Sequence, residues 1–328
     1  MVKRLGRLLL PAIGCLALFT LARQARLTGW DEAFYLAQLT SVVADRDLTL
    51  QDDLLAIPND LPLRLRTVTL VHESGALRNS FSIGPAWLHS AYAVALPTRS
   101  SDAFRAAFSI ASMFLLVFTV LFTQRLVRDF GVSPMLAAGC SAAAVLWGPL
   151  AVYGTRASLS AHLPSAFWAS LLLLAGRRWG DRGRIRHALI AGVAGGALTI
   201  TRWQDLVLVG VVASSAAILA ISSRQGRGTR VAGLLAAGLA AALVGLVQPL
   251  ALMRQFGTWI DLPQGAGFMH WGEPAIGSFL FSPVHGLFTW TPVFGVGLLG
   301  LLLAPAGAPR WVKVAVAMLT LGVALSVY

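Results

Sequence analysis

The sequence predicts an all-α, polytopic membrane protein, and three observations lead to this fold class. Hydrophobic residues make up 56% of the 328 residues and charged residues only 12%, with a mean hydropathy of +0.71. A soluble domain carries about 25% charged residues, so this composition favours a bilayer environment. The apolar residues form runs near the length of about 20 residues that a helix needs to cross a membrane. The basic residues concentrate in alternate connections between those runs.

We identify nine apolar runs, and each predicts one transmembrane helix. They are Leu8–Ala22, Phe104–Gln124, Met135–Tyr153, Ala161–Gly176, His187–Ile200, Leu206–Ile221, Val231–Leu252, Gly286–Leu303 and Trp311–Tyr328. The first run follows a basic segment, as in a signal peptide, but no small-residue cleavage site comes after it, so it is interpreted as an uncleaved span. The glycines of GVAGGAL lie inside the fifth run, which favours close helix packing over phosphate binding.

The distribution of charge predicts the orientation of these helices. With the N-terminus in the cytoplasm, the inner segments hold 15 of the 26 basic residues and two of the 14 acidic residues, whereas the outer segments hold 11 basic and 12 acidic residues. This asymmetry is the positive-inside pattern of a multi-pass protein of the cell inner (plasma) membrane. The net charge of +12 therefore reflects topology and excludes a nucleic-acid partner as its explanation.

Two long segments on the predicted outer side, residues 23–103 and 254–285, interrupt the series of short connections. Long loops in compact proteins commonly carry function. In the first loop, helical spacing of apolar residues predicts an interfacial helix over Asp31–Val43. The run Phe81–Pro97 fits either a second interfacial helix or a segment that dips into the bilayer. The polar stretch between these helices is interpreted as solvated loop charge, carried by Asp52, Asp53, Asp60, His72 and Glu73.

Asp31 and Glu32 begin the first interfacial helix and are the strongest candidates for chemistry. Carboxylates beside hydrocarbon are costly, and they are commonly retained for proton transfer or cation binding. A structural role fits the spacing equally well, because Thr28 and Asp31 match a capping box at a helix start. Spacing alone leaves both roles open.

Five segments distributed over most of the chain share a further pattern. They are WDEAFYLAQLTSVVADRDLTL, FSIGPAWL, SAHLPSAFWASLLLL, LTITRWQDLVLV and FSPVHGLFTWTPVFGVGLLGLL. These segments resemble the GT-C membrane glycosyltransferases, a superfamily that includes protein O-mannosyltransferases and lipid A aminoarabinose transferases. The sequence departs from that family at Val284, where bacterial relatives often have a basic residue, and at Tyr328, where family members continue with more spans. The resemblance implies a single GT-C-like domain over residues 1–328 that is incomplete at its C-terminal end.

The resemblance implies transfer of a sugar from a polyprenyl-phosphate-linked donor to an acceptor glycan, lipid or protein on the outer face of the membrane. The acidic pair would then be catalytic, with Asp31 in the leading position, because an attacking hydroxyl must lose its proton and a carboxylate can accept it. Cationic or hydrogen-bonding groups must also face the leaving phosphate. The candidates for substrate binding are Tyr35, Arg78, His162, Arg202 and His285.

Other roles remain open for several of these residues. Arg202 also fits a snorkelling anchor at the end of a span, and His162 fits a histidine paired with a backbone carbonyl. The acidic pair and a distant Asp or His could ligate Mg²⁺ or Mn²⁺, but no compact ligand motif requires a metal, so the cofactor stays undefined. The main alternative function is a transporter or flippase-like protein that uses Asp31 and Glu32 as a proton or cation site. A third is a non-catalytic membrane scaffold.

Overall fold

The structure is a computed structural model that describes residues 27, 29–56, 72, 74–77, 79, 81–146, 149–222, 226–261, 275–283, 286–290 and 295. All the secondary-structure elements assigned in this part of the chain are helices, which confirms the predicted all-α class. The α-helices are α1 (Trp30–Thr40), α2 (Leu50–Ala56), α3 (Gly84–Ala93), α4 (Ser101–Arg128), α5 (Pro134–Leu146), α6 (Pro149–Thr155), α7 (His162–Arg182), α8 (Ile185–Thr201), α9 (Leu206–Ser222), α10 (Arg227–Gly245), α11 (Val247–Phe256), α12 (Ile276–Phe281) and α13 (Leu287–Trp290).

Three helical segments among the described residues are long and apolar enough to cross a membrane: Ser101–Arg128, Trp203–Ser222 and Arg227–Phe256. Pro134–Val145 and Pro149–Thr155 together add a fourth if they form one broken span. The apolar helix α8 has 17 residues and a length of about 25 Å, which is shorter than a hydrocarbon core of about 30 Å. The count of nine spans is therefore not confirmed. The first and last predicted spans lie outside the described residues.

The described residues divide into two compact units. The first takes its residues from Met1–Leu121, Leu150–Phe167 and Val247–Pro263. Helix α1 lies in its core, because every side chain from Glu32 to Leu39 is buried. Phe104 and Phe108 of α4 belong to the same apolar cluster. Neighbouring elements thus cover α1 on all sides along these two turns, which makes it a core helix of the unit.

The second unit takes its residues from Phe122–Pro149, Trp168–Leu246 and Gln264–Tyr328. Its helices α8 and α10 approach closely through small residues. A Cβ atom on Gly196 would lie 2.5 Å from the Ala241 carbonyl oxygen, and a Cβ atom on Gly192 would lie 2.8 Å from the Ala237 carbonyl carbon. The predicted packing role of the GVAGGAL glycines is confirmed, since only hydrogen atoms fit at both positions.

Candidate active site

Helix α1 begins immediately before the acidic pair. Its N-cap is Gly29, in an extended conformation and without a side-chain cap hydrogen bond. The capping box proposed for Thr28 and Asp31 therefore does not form the N-cap of this helix, and Thr28 itself lies outside the described residues. A Cβ atom on Gly29 would lie 2.8 Å from Asp31 Oδ1, so the Asp31 carboxylate occupies the space beside the helix start. Position 29 must stay small for Asp31 to keep this placement.

The two adjacent carboxylates lie in different environments. Glu32 is 1% exposed, and its Oε1 accepts a hydrogen bond of 3.3 Å from the Leu159 backbone N–H. Asp31 is only partly buried. Leu159 belongs to the turn between α6 and α7, so Glu32 attaches α1 to that turn. The sequence presents a symmetrical acidic pair, whereas the structure gives Glu32 an anchoring contact and leaves Asp31 closer to the surface.

The turn that contacts Glu32 is held by serine hydroxyls. Ser109 Oγ and Ser158 Oγ lie 2.8 Å apart, and Ser112 Oγ donates to the Ser158 carbonyl oxygen at 2.6 Å. Both α4 serines are buried. Both bonds are made by Ser158, the residue before Leu159, so they fix this side of the turn against α4 and give Glu32 a well-ordered backbone partner.

Two of the predicted substrate-binding residues lie in the same unit as the acidic pair. Tyr35 is 4% exposed, and its ring meets the Phe81 ring edge to face at a centroid distance of 5.5 Å. His162 starts α7, three residues after Leu159, and its ring stacks on Tyr153 at 4.1 Å. The described contact of His162 is therefore ring stacking. Its position after the turn puts it close in sequence to Leu159, which binds Glu32.

The remaining predicted binding residues belong to the second unit or lie outside the described residues. Arg202 belongs to the second unit, where it follows α8 and donates its backbone N–H to the Leu198 carbonyl at 3.0 Å. Arg78 and His285 lie outside the described residues, as do residues 262–274 of the predicted loop over residues 254–285. A shared cavity that contains Asp31, Arg202 and His285 therefore stays a prediction.

The polar stretch after α1 contains a carboxyl group that sequence reasoning missed. Asp53 is 6% exposed, although it was interpreted as solvated loop charge. Burial, the neighbouring charges of Asp45 and Asp52 and a hydrogen bond with Asp45 together raise the pKa of Asp53 to about 7. No group of three His, Cys, Asp or Glu residues in the described part has the arrangement of a metal site. Asp53 therefore gains or loses its proton close to neutral pH.

A histidine outside the predicted site is also buried. His89 on α3 is 1% exposed, its Nδ1 is hydrogen-bonded to the Tyr92 hydroxyl, and its ring lies 3.6 Å from the Phe108 ring. Burial lowers the pKa of His89 to about 3, so its ring is neutral at physiological pH. The spacing of His89 and Tyr92, three residues apart on one helix, is the sequence signal that could have indicated this pair.

Fold and site together define a class: a helical protein with helices suited to a membrane and an acidic pair at the start of a core helix. No protein-family model, curated protein or solved structure matches the chain. The resemblance to GT-C glycosyltransferases therefore rests on the quoted segments.

Proposed function

We propose that the chain is an integral-membrane glycosyltransferase of the GT-C type. It transfers a hexosyl or pentosyl group from a polyprenyl-phosphate-linked donor to an acceptor glycan, lipid or protein on the outer face of the inner membrane. The observation that carries this proposal is the asymmetry at the start of α1, where a partly exposed Asp31 follows a small N-cap and Glu32 is buried against Leu159. A catalytic carboxylate needs both access to substrate and a fixed backbone.

The proposed topology has nine spans, a cytoplasmic N-terminus and residues 23–103 on the outer side. The charge asymmetry of the connections supports this orientation. The three described segments that are suited to cross a membrane support its helical character. In this arrangement α1 and α3 belong to the outer loop and are held near the membrane boundary.

Asp31 acts as the general base in the proposed reaction. Its carboxylate takes the proton of an acceptor hydroxyl while the hydroxyl oxygen forms a bond to the anomeric carbon of the donor. The bond between that carbon and the phosphate oxygen breaks, and its electron pair leaves with the polyprenyl phosphate. Positive or hydrogen-bonding groups stabilise this leaving charge. Arg78, His162, Arg202 and His285 are the proposed sources of those groups.

Replacement of Asp31 by Asn tests the proposal, because Asn suits a helix start as well as Asp does but is not a base. We expect Asp31→Asn to keep wild-type expression and thermal stability, and to lower sugar transfer from a polyprenyl phosphate donor by at least about a hundredfold. Glu32→Gln should reduce transfer less, since the Gln side-chain oxygen can still accept the Leu159 N–H. Transfer is measured with a radiolabelled lipid-linked sugar and purified protein in liposomes.

Full transfer activity in a stable Asp31→Asn protein would contradict the proposed role of the carboxylate. A transporter that uses the acidic pair predicts a different outcome: no sugar transfer by the wild-type protein, and ion-coupled uptake into liposomes that Asp31→Asn abolishes. Mass spectrometry of the purified protein gives a second check, because a GT-C enzyme should retain some bound polyprenyl phosphate.

A further inference from the structure

A small cavity in the first unit is lined by four carboxamide side chains and four apolar residues. Gln38 of α1, Asn79, and Gln248 and Gln255 of α11 supply these groups, and the Phe81 ring forms part of an apolar wall. Its enclosed part has room for about one water-sized group. Among the described residues, none that lines the cavity is ionisable. A charged ligand would lose its hydration there without gaining a counter-charge, so the cavity suits a neutral group.

Hydrogen bonds to the backbone fix the orientation of three of these amides. Gln38 Nε2 donates to the Phe81 carbonyl at 3.0 Å, and Asn79 Oδ1 accepts the Phe81 N–H at 3.0 Å. Gln248 Oε1 accepts the Ile83 N–H at 2.9 Å. Exchanging oxygen and nitrogen in any of these amides would place two acceptors or two donors face to face, so each has one defined orientation.

The other ends of these amides define what the cavity can bind. Gln38 Oε1 is a buried acceptor without a hydrogen-bond partner in the described part of the chain, on a residue that is only 2% exposed. Asn79 and Gln248 line the same cavity, and their oxygens are used by the backbone, so their amide nitrogens are the donors they can offer a ligand. A site with both an acceptor and donors complements a hydroxyl group, which can donate one hydrogen bond and accept two. Leaving Gln38 Oε1 unpaired would be unfavourable, because buried polar atoms are normally satisfied.

We infer that this cavity binds a hydroxyl group of a neutral, polyhydroxylated ligand, in the chemical class of a glycoside head group. The cavity resembles small-molecule sites in composition, since a few polar groups lie among apolar ones, but its enclosed part admits only a single hydroxyl group. Asp31, Tyr35 and Gln38 occur at helical positions i, i+4 and i+7, so they share one face of α1 over about 10 Å. Assigning the cavity to the sugar-transfer site rests on the proposed function, whereas hydroxyl binding itself does not.

Binding of octyl β-glucoside tests the inference directly. The full chain in lipid nanodiscs is titrated with the tritiated glycoside, and partition into empty nanodiscs is subtracted. Octyl phosphocholine, which has the same tail length and no hydroxyl group, is the matched competitor. We expect saturable glucoside binding that octyl phosphocholine does not displace. Gln38→Met should weaken it by about threefold to tenfold, the value of one hydrogen bond.

Gln255→Met is the second variant, because it removes a cavity amide and breaks none of the three hydrogen bonds that order the segment around Phe81. It should weaken glucoside binding in the same range. Gln51→Met, on the exposed side of α2, is the matched control and should leave the affinity unchanged. Absence of saturable binding, or full displacement by octyl phosphocholine, would mean that the cavity holds water only. Unchanged affinity in Gln255→Met and in folded Gln38→Met would place the glycoside elsewhere and overturn the inference.

These outcomes are distinguishable from a failure of the proposed function. Glucoside binding that depends on Gln38, in a protein without any sugar transfer, would retain the cavity assignment and contradict the enzyme. Sugar transfer that depends on Asp31, with glucoside binding insensitive to both Gln variants, would retain the enzyme and contradict the cavity assignment.

Discussion

Replacement of Gly196 by Ala tests whether the contact between α8 and α10 holds the second unit together. The added Cβ would lie 2.5 Å from the Ala241 carbonyl oxygen and 2.9 Å from Val244 Cβ. A relaxed contact between carbon and carbonyl oxygen is about 3.3–3.6 Å, so the helices would have to separate by about 1 Å.

The expected cost follows from two opposing contributions. Overpacking typically costs about 1–3 kcal/mol, and a gap of about 1 Å removes up to half of the dispersion energy of the separated contacts. The higher helix propensity of Ala returns about 0.5–1 kcal/mol. We therefore expect a net loss of about 1–2 kcal/mol, which lowers the thermal midpoint by about 3–6 °C. Circular dichroism of the purified protein in detergent measures this midpoint.

Gly238→Ala is the matched control for Gly196→Ala. Gly238 lies inside the partner helix α10, and a Cβ atom there meets no described atom within 4 Å. This variant gains helix propensity without overlap, so its midpoint should equal or exceed that of the wild-type protein. If Gly196→Ala were as stable as Gly238→Ala, close packing of α8 on α10 would not support the second unit, and the reasoning from the glycine positions would fail.

Two further predictions concern charged groups. Because burial raises the pKa of Asp53 to about 7, the folded protein holds a proton that an unfolded carboxyl releases near pH 4. The free energy of unfolding should thus fall as pH rises from about 4 to 7. Thermal unfolding at several pH values should show a smaller fall in Asp53→Asn and an intermediate fall in Asp45→Asn. An equal fall in the wild-type protein and both variants would contradict this prediction. Asp129 accepts a 3.1 Å hydrogen bond from Arg178 Nε with both side chains 23% exposed, so Asp129→Asn should cost about 0.5–1 kcal/mol at low salt and less in 1 M NaCl. Asp181 belongs to a more exposed ion pair, so Asp181→Asn should lower stability less at low salt. A loss of stability in Asp129→Asn that does not depend on salt would refute an ionic origin.

Hydropathy located several helices closely because a bilayer span needs an uninterrupted apolar run. Predicted spans Leu206–Ile221 and His187–Ile200 correspond to α9 and α8 within two residues at each end. The predicted span Val231–Leu252 lies within Arg227–Phe256, which is suited to cross a membrane as one segment but has an irregular residue, Leu246, between α10 and α11. Pro249 explains why hydropathy missed it: proline is compatible with an apolar run but lacks the N–H that would bond to the Gly245 carbonyl.

The environment of the candidate site could not be predicted from the spacing of residues, because it depends on contacts between distant parts of the chain. An amphipathic pattern predicted α1 with one apolar face, yet Glu32 and Gln38 are as buried as Leu36 and Leu39. Their partners are Leu159 and Phe81, which lie 127 and 43 residues away along the chain. Polar side chains enter a core only when such distant partners satisfy them. Local periodicity identified the helix but could not identify these partners.

The geometry of α1 explains why adjacent carboxylates would act separately. Successive residues on an α-helix point about 100° apart, so neighbours in sequence do not face each other. Glu32 points toward the turn at Leu159 and is engaged there, whereas Asp31 lies beside Gly29 at the helix start. Glu32 Oε1 already accepts the Leu159 N–H, so shared coordination of one cation would have to use the other oxygen of a carboxylate that is held toward this turn. In the proposed reaction the two roles are separate: Glu32 anchors α1, and Asp31 is the base, on the same helix face as Tyr35 and Gln38.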